Sequence, residues 1–439
     1  MKKVLVIGAG LVARPLVRYL LDRNHAVTCV DQVAEKATAI IAGHPNGSAG
    51  ALDLSDRAAT QALVDAADLT VSLAPPPFHP VIARMCLDAG KPMVTASYVS
   101  PEMQALHEEA VSKGLTILNE IGVDPGVDHM SAMRIIDDVQ GRGGKVTSFR
   151  SYCGGLPAPE HNTNPFGYKF SWAPRGVLVA SRNGAEYLAG GRLVETAPER
   201  LFRDMHVLQV PGFGDFEAYP NRDSVSYQSI YGLEGIDTLF RGTLRNMGWC
   251  DCLYHYRTQG LLNLDEFDVN GRTYGEVMAE HLGCAVGDDL RAAFARKAGI
   301  PTDSLPAWNL HWLGMFSDRN VAGERTTMLD AMGDLMLEKL VFADGEQDLI
   351  VLFHDFLAEF PDGHKEHITS KLIEFGESGG DSAMSRTVSL PAAIGAHMIL
   401  QGTITTPGVL RPVTADIYGP VLDELASLNI ECVEETETY

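Results

Sequence analysis

The stretch Val4–Ala13, which reads VLVIGAGLVA, decides the fold of the first part of the chain. Four β-forming residues run directly into a G-x-G-x-x-A fingerprint, and apolar residues then recur at helical spacing as far as Leu21. Gly8 permits a tight turn, Gly10 lets a pyrophosphate approach the backbone, and Ala13 keeps the helix close to the strand. The stretch therefore predicts a strand, a phosphate-binding turn and a helix whose N-terminus faces the phosphates.

A second predicted strand, Ala26–Val30, ends at Asp31, where a dinucleotide-binding fold places a carboxylate that accepts hydrogen bonds from the ribose. The fingerprint alone could also be an ordinary tight turn between a strand and a helix. The predicted elements on both sides of it favour a nucleotide site. We expect the cofactor to contact these residues of the region: Gly8, Gly10, Leu11, Val12, Ala13 and Asp31.

Composition and charge narrow the class of protein. The chain has 439 residues, which leaves room for two or three domains, and its formal net charge is −22. That charge argues against nucleic acid or an anionic membrane as partner, because both attract basic surfaces. The N-terminus reads as a strand rather than a signal peptide, and no apolar run is long enough to span a bilayer.

The seven cysteines are scattered along the chain, which favours a reducing, cytoplasmic location. Cys250 and Cys252 lack the second ligand pair that a zinc site needs, so we expect no metal.

Residues 1 to about 123 alternate between strand-like and helix-like segments, which predicts an α/β fold with a doubly wound parallel sheet. Polar residues follow the later strands: Ser97 and Tyr98 come after the fifth, and Asp124 comes after the sixth. Ligands of open parallel sheets bind at the carboxyl ends of the strands, so we expect the site there.

Five longer motifs resemble the glutamate-forming saccharopine dehydrogenases, also called saccharopine reductases. The motifs are Asn119–His129 (NEIGVDPGVDH), Ser151–Glu160 (SYCGGLPAPE), Asn164–Trp172 (NPFGYKFSW), Tyr219–Ser224 (YPNRDS) and Arg241–Arg245 (RGTLR). The resemblance implies a Rossmann domain at residues 1–129 and an α/β substrate-binding and dimerisation domain at 130–390, with a helical insert at about 260–340. It also implies that the C-terminal segment, 391–439, returns to the Rossmann domain.

The same resemblance implies the reaction. A nicotinamide cofactor would oxidise the secondary amine of saccharopine to an imine, and water would then release L-glutamate and 2-aminoadipate 6-semialdehyde. The reaction belongs to lysine metabolism, and we expect it to run towards degradation. The resemblance also implies a homodimer. We expect the protein to bind its small-molecule substrate and to bind neither nucleic acid nor a membrane.

Saccharopine carries three carboxylates, so its site needs cations. Arg222 and Arg245 stand in matching motifs, and a guanidinium binds a carboxylate through two parallel hydrogen bonds. Other positions that match the family's substrate site are Ser97, Tyr98, Asp124, Thr243 and Leu244. Asp53 and Trp172 are expected to contact the cofactor.

The reaction also needs a group that accepts the amine proton. Asp124 is the first choice, with a helix cap beside Pro125 as the alternative. Tyr98 is expected to relay a proton or to hydrogen-bond the substrate. Cys153 is either a reactive thiol or a small buried residue that fits its place. His79 and His129 are possible acids or bases, although a structural role is the commoner one.

The cofactor prediction depends on the end of the second strand. Several family members carry an arginine there and use NADP, whereas this chain has Asp31 followed by Gln32. A carboxylate repels a 2′-phosphate, so the sequence favours NAD, with NADP as the alternative.

Two other functions stay open at this point. One is a reductive condensation on a diamine, as in the carboxynorspermidine dehydrogenases, whose substrate has one carboxylate fewer. The other is a non-catalytic dinucleotide-sensing protein, which would not need the motifs around Cys153, Arg222 and Arg245.

Overall fold

The computed structural model describes residues 1–172 and 174–439. These residues form two compact units, one made of Met1–Val146 with Leu357–Tyr439 and the other of Thr147–Phe356. The division into segments that end at residues 129 and 390 stays a prediction. Among the described residues, no helix combines the length and the apolar character that a membrane span requires.

The first segment alternates strands and helices, as the sequence predicts. Its first strand is buried from Val4 to Ile7, and Leu16 and Leu20 of the first helix are also fully buried. The strands are β1 (Lys3–Ile7), β2 (Ala26–Asp31), β3 (Gly47–Ala51), β4 (Leu69–Ser72), β5 (Met93–Val94) and β6 (Thr116–Leu118). The helices are α1 (Ala13–Asp22), α2 (Ala34–Ile41), α3 (Arg57–Ala66), α4 (His79–Ala89), α5 (Pro101–Gln104), α6 (His107–Lys113) and α7 (Val127–Gly141).

The middle of the chain mixes longer strands with a group of helices. The strands are β7 (Lys145–Pro157), β8 (Ala185–Ala189), β9 (Arg192–Thr196), β10 (His206–Val210), β11 (Gly214–Pro220), β12 (Thr238–Arg245), β13 (Glu266–Asp268), β14 (Arg325–Thr327) and β15 (Asp348–Glu359). The helices are α8 (Pro174–Ala180), α9 (Tyr227–Ile230), α10 (Trp249–Thr258), α11 (Tyr274–Leu282), α12 (Leu290–Ala298), α13 (Leu305–Leu313) and α14 (Met328–Lys339). Short 3₁₀ helices span Pro76–Phe78, Pro159–His161 and Pro198–Arg200.

The last part of the chain belongs to the first unit. It consists of β16 (Lys365–Phe375), α15 (Ala383–Gln401), β17 (Gly408–Leu410), α16 (Ala415–Ser427) and β18 (Val433–Thr438). Strands β16 and β18 pair antiparallel. Strand β17 pairs parallel with β6, so the C-terminal part of the chain extends the N-terminal sheet.

The parallel sheet has the strand order β17-β6-β5-β4-β1-β2-β3. Order reverses at β1, which pairs with β2 on one side and with β4 on the other. This arrangement confirms the predicted doubly wound α/β fold. It opens a crevice at the carboxyl ends of β1 and β4, the place where such sheets bind ligands.

The second unit has a mixed sheet of order β10-β11-β12-β7-β15. Strand β12 pairs antiparallel with β11 and parallel with β7. The helices pack around a core that includes Trp249, Tyr256, Phe294 and Leu329. Helix α11 begins with a capping box between Thr273 and Glu276, which satisfies N–H groups at its first turn.

Replacing Gly126 with Ala should unfold the loop that precedes α7. Gly126 has a φ of 151°, and a Cβ there would lie 2.0 Å from the carbonyl oxygen of Gly122. We expect a loss of about 3 kcal/mol or more in the free energy of unfolding, measured by urea denaturation. Gly141→Ala is the matched control, because its Cβ meets nothing within 4 Å. That variant should match wild type to within about 1 kcal/mol; equal stabilities for the two variants would contradict the geometry of the loop.

Candidate active site

The predicted phosphate-binding turn lies between β1 and α1. Gly8 has a φ of 107°, and a Cβ there would come within 2.9 Å of the carbonyl oxygen of Leu73, directly after β4. A Cβ added at Gly10 would meet no atom within 4 Å. Helix α1 begins after Val12, which makes no side-chain capping hydrogen bond. The turn thus combines free space with N–H donors at the positive end of a helix, which fits a pyrophosphate. It contains all the predicted turn residues, namely Gly8, Gly10, Leu11, Val12 and Ala13.

Asp31 is tied to the backbone around it. Its Oδ2 accepts a hydrogen bond from the N–H of Ala9 at 2.8 Å, and its Oδ1 accepts one from the N–H of Val33 at 3.0 Å. The carboxylate therefore holds the end of β2 against the glycine turn. Asp53, after β3, is exposed and accepts a hydrogen bond from the N–H of Ser55 at 2.9 Å.

Ser97 is anchored by His79, the first residue of α4. The Nε2 of His79 lies 2.8 Å from the Oγ of Ser97, and its Nδ1 lies 2.9 Å from the Oγ of Ser72. Burial lowers the pKa of His79 to about 4, so its imidazole is neutral at pH 7. A neutral imidazole between two hydroxyls can orient Ser97 but adds no charge to the site.

Tyr98 and Asp124, which follow β5 and β6, are brought together. The Tyr98 hydroxyl donates a hydrogen bond to the Oδ1 of Asp124 at 3.1 Å. The N-cap of α7 is Gly126, and Asp128 accepts from its N–H at 2.5 Å. Asp124 lies before this cap, joined to Pro125 by a cis peptide bond.

A buried carboxylate lies behind this pair. Glu120 is 1% exposed, and its Oε1 accepts hydrogen bonds from the N–H of Val99 at 2.9 Å and from the Nε of Arg411 at 2.8 Å. The Nε2 of His129 lies 3.0 Å from its Oε2. Burial alone would raise the pKa of Glu120, but the hydrogen bond and charge of His129, together with Arg411, lower it to about 2. Glu120 is therefore ionised.

In the second unit, four predicted residues lie on the neighbouring strands β7 and β12. Thr243 on β12 lies opposite Cys153 on β7 and opposite Tyr219 on β11. Leu244 and Arg245 follow directly on β12, and all the members of this group except Thr243 are buried. Cys153 is accordingly a buried thiol beside the strand that carries the predicted substrate residues.

Arg245 is a buried cation with aromatic neighbours. It is 6% exposed, and its guanidinium carbon lies 4.9 Å from the ring centre of Tyr168 and 5.6 Å from that of Trp249. Its Nη1 donates to the carbonyl of Leu244 at 2.7 Å. Its Nε is buried without a hydrogen-bond partner among residues 1–172 and 174–439.

No carboxylate of the described chain neutralises Arg245. Glu217 lies opposite it on β11, but the Glu217 carboxylate accepts hydrogen bonds from the N–H groups of Gly248 at 2.8 Å and Cys250 at 2.7 Å. Burial raises the pKa values of Tyr168 and Tyr219, which keeps both phenols neutral. A buried charge without a counter-charge is costly, so this pocket suits an anionic ligand.

The remaining predicted residues of this unit lie nearer the surface. Arg222 is exposed in the turn after β11 and has a φ of 53°. Trp172 is half-buried and packs against the helical core. Each guanidinium therefore has a different environment, dry for Arg245 and solvated for Arg222.

Sequence reasoning missed several residues around these sites. Glu120 lies at the start of the motif that contains Asp124, and its place at the carboxyl end of β6 was the available signal. Tyr168 lies in another quoted motif. Trp249 follows Arg245 by only four residues, but the pair spans the junction of β12 and α10, where neither strand nor helix periodicity predicts a contact.

Two family models cover most of the chain. The model described as "Saccharopine dehydrogenase NADP binding domain" matches residues 4–118. The model described as "Saccharopine dehydrogenase C-terminal domain" matches residues 122–430.

Fungal relatives match over nearly the full length of both chains. The chain is 37% identical to saccharopine dehydrogenase (NADP(+), L-glutamate-forming) of Schizosaccharomyces pombe over 447 residues, which covers 99% of each chain. It is 38% identical to the protein of the same name from Saccharomyces cerevisiae, over 97% of this chain and 96% of the relative. A mitochondrial alpha-aminoadipic semialdehyde synthase of Mus musculus is 36% identical over 98% of this chain but only 47% of its own length.

The preference for NAD over NADP that the sequence predicts is wrong. The matching family model describes an NADP-binding domain, and the two fungal relatives are named for NADP(+). The prediction treated Asp31 as a free carboxylate at the ribose. In the structure both of its oxygens accept hydrogen bonds from backbone N–H groups, those of Ala9 and Val33. Residue type alone did not reveal that the carboxylate faces the turn.

A solved structure agrees over the whole length. Apo saccharopine dehydrogenase (L-Glu forming) from Saccharomyces cerevisiae superposes with a TM-score of 0.91 at 35% identity and covers 100% of both chains. Sequence, family models and fold all lead to one assignment. The chain belongs to the saccharopine dehydrogenase family.

Proposed function

We propose that this protein is an NADP-dependent, L-glutamate-forming saccharopine dehydrogenase. It oxidises saccharopine and, with water, releases L-glutamate and 2-aminoadipate 6-semialdehyde. The observation that carries the proposal is the buried guanidinium of Arg245, which has no carboxylate partner among the described residues. A substrate with three carboxylates supplies the missing anion. The homodimer and the cytoplasmic location stay predictions.

The diamine alternative and the non-catalytic alternative are less well supported. Against the non-catalytic alternative, a buried, uncompensated arginine costs stability that a protein without an anionic substrate has no reason to lose. Full-length similarity to L-glutamate-forming dehydrogenases supports the same choice.

Substrate binding is assigned to individual side chains. Arg245 receives a substrate carboxylate in its dry aromatic pocket, where a charge-assisted hydrogen bond is strong. Arg222 binds a second carboxylate from a solvated turn. Further substrate contacts come from Ser97, Tyr98, Thr243 and Leu244. The cofactor pyrophosphate is assigned to the turn Gly8–Ala13, which Asp31 holds through the N–H of Ala9, with further contacts from Asp53 and Trp172.

Proton transfer is assigned to Asp124 and Tyr98. When bound, the cofactor would supply the acceptor for the hydride that leaves the lysine-derived carbon beside the secondary amine. The Asp124 carboxylate accepts the amine proton, and the Tyr98 hydroxyl donates a hydrogen bond to its Oδ1. Tyr98 thereby orients the carboxylate that is assigned as the base. Cys153 stays a candidate for handling the protons of water.

The direct test is a spectrophotometric assay with saccharopine and each cofactor. We expect reduced nicotinamide to form with NADP+ faster than with NAD+, and glutamate and the semialdehyde to accumulate in equal amounts. Lysine and 2-oxoglutarate as products would contradict the proposed cleavage. Absence of turnover with both cofactors would contradict the enzyme assignment.

Replacing Arg245 with Met should weaken saccharopine binding. Loss of a charge-assisted contact costs about 1.5–3 kcal/mol, which raises KM roughly 10- to 150-fold. The Kd for NADP+, measured by fluorescence, should be unchanged. Arg241→Met is the matched control, because Arg241 is another buried arginine of β12 and stacks on Tyr227 at 4.5 Å. Similar increases in KM for both variants would remove Arg245 from the substrate site.

Replacing Asp124 with Asn keeps the shape of the side chain and removes its basicity. We expect kcat to fall about 100-fold or more, while the thermal unfolding midpoint stays near that of wild type. We also expect wild-type activity to fall at acidic pH as the Asp124 carboxylate is protonated, and this fall to be absent from Asp124→Asn. Wild-type turnover with an unaltered pH profile would leave Asp124 with a structural role only.

A further inference from the structure

Glu120 is a buried carboxylate that the proposed chemistry does not use. It lies in the loop after β6, is 1% exposed, and has a φ of 53°, which is uncommon for a residue other than glycine. Unusual backbone conformations persist where the surrounding contacts hold them in place. The contacts of Glu120 therefore indicate what the conformation serves.

Glu120 holds the backbone on both sides of Tyr98. Its N–H donates a hydrogen bond to the carbonyl of Ser97 at 3.1 Å. Its Oε1 accepts one from the N–H of Val99 at 2.9 Å. The two peptide groups that flank Tyr98 are thus both bound to a single residue, which fixes the backbone position from which the phenol reaches Asp124.

The Tyr98 hydroxyl closes a ring of contacts. It donates to Oδ1 of Asp124 at 3.1 Å, and Asp124 lies in the same loop as Glu120, four positions later. The chain therefore runs from Glu120 to Asp124, across to Tyr98, and back to Glu120. Moving the Tyr98 backbone away from Glu120 would lengthen the hydrogen bond to Asp124.

The charge of Glu120 is balanced inside the fold. Arg411, which follows β17, donates to Oε1 at 2.8 Å, and His129 of α7 lies 3.0 Å from Oε2. On its other side, the Nδ1 of His129 lies 3.6 Å from Oδ2 of Asp128. Oε1 is therefore shared between Arg411 and the N–H of Val99.

We infer that Glu120 is a positioning residue for the Tyr98–Asp124 pair, because its N–H and its carboxylate bind the peptide groups on either side of Tyr98. The inference rests on the proposed function only in the role it gives to Asp124. Glu120 itself neither binds substrate nor transfers a proton.

Two conservative variants separate the reach of the side chain from its charge. Glu120→Asp keeps the charge but is one methylene shorter, so its oxygen withdraws from Val99. Glu120→Gln keeps the length and an acceptor oxygen but loses the charge. If Glu120 positions Tyr98, Glu120→Asp should lower kcat about tenfold with KM for saccharopine nearly unchanged, and Glu120→Gln should stay within about threefold of wild type. A double variant with Tyr98→Phe should lose no more kcat than Tyr98→Phe alone.

Amide hydrogen exchange at Val99, measured without substrate or cofactor, separates this inference from the proposed function. We expect exchange to be about tenfold faster in Glu120→Asp than in wild type or Glu120→Gln. Glu366→Gln is the control, because Glu366 is a buried carboxylate of the same unit that binds Arg142 at 2.7 and 2.8 Å. It should leave kcat and Val99 exchange unchanged.

Unchanged Val99 exchange and kcat in Glu120→Asp would overturn the positioning role. Equal losses in Glu120→Asp and Glu366→Gln would overturn it too, because the effect would then be a general one of buried carboxylates. Faster Val99 exchange together with a wild-type enzyme that does not oxidise saccharopine would support the positioning role and refute the proposed function.

Discussion

The parallel pairing of β1 with β2 and β4 is the constraint on which the first unit depends. Strand order reverses there, so the carboxyl ends of β1 and β4 open the crevice that Gly8 lines beside Leu73. Because β5 and β6 run in the same direction, the loops that carry Tyr98 and Asp124 emerge at the same edge. One sheet edge therefore carries both the phosphate-binding turn and the side chains assigned to proton transfer.

The second unit is proposed to meet a different requirement, which is to bind a substrate carboxylate away from water. Arg245 is kept among aromatic rings, and Glu217, the carboxylate opposite it in the sheet, is bound instead by the N–H groups at the start of α10. The fold thereby withholds an internal counter-ion from a buried cation. Such an arrangement lowers stability and increases affinity for a carboxylate, a compromise that is common at functional sites.

The sequence predicted the parallel sheet and the glycine turn because both have strong local patterns, alternation of elements and a fingerprint between them. It also placed Tyr98 and Asp124 at the correct sheet edge. It failed on the cofactor because residue type does not show which atoms a carboxylate meets, and Asp31 meets the N–H groups of Ala9 and Val33. The role of Glu120 and the contact of Arg245 with Tyr168 depend on contacts between segments far apart in the sequence, which no local pattern records.

The most direct test of the central claim follows the hydrogen that leaves the substrate. Saccharopine would carry deuterium on the lysine-derived carbon beside the secondary amine, and the NADPH formed would be analysed by mass spectrometry. Oxidation that yields L-glutamate breaks the bond to that hydrogen, so the NADPH should contain deuterium. Unlabelled NADPH, with deuterium retained in a lysine product, would contradict the assignment.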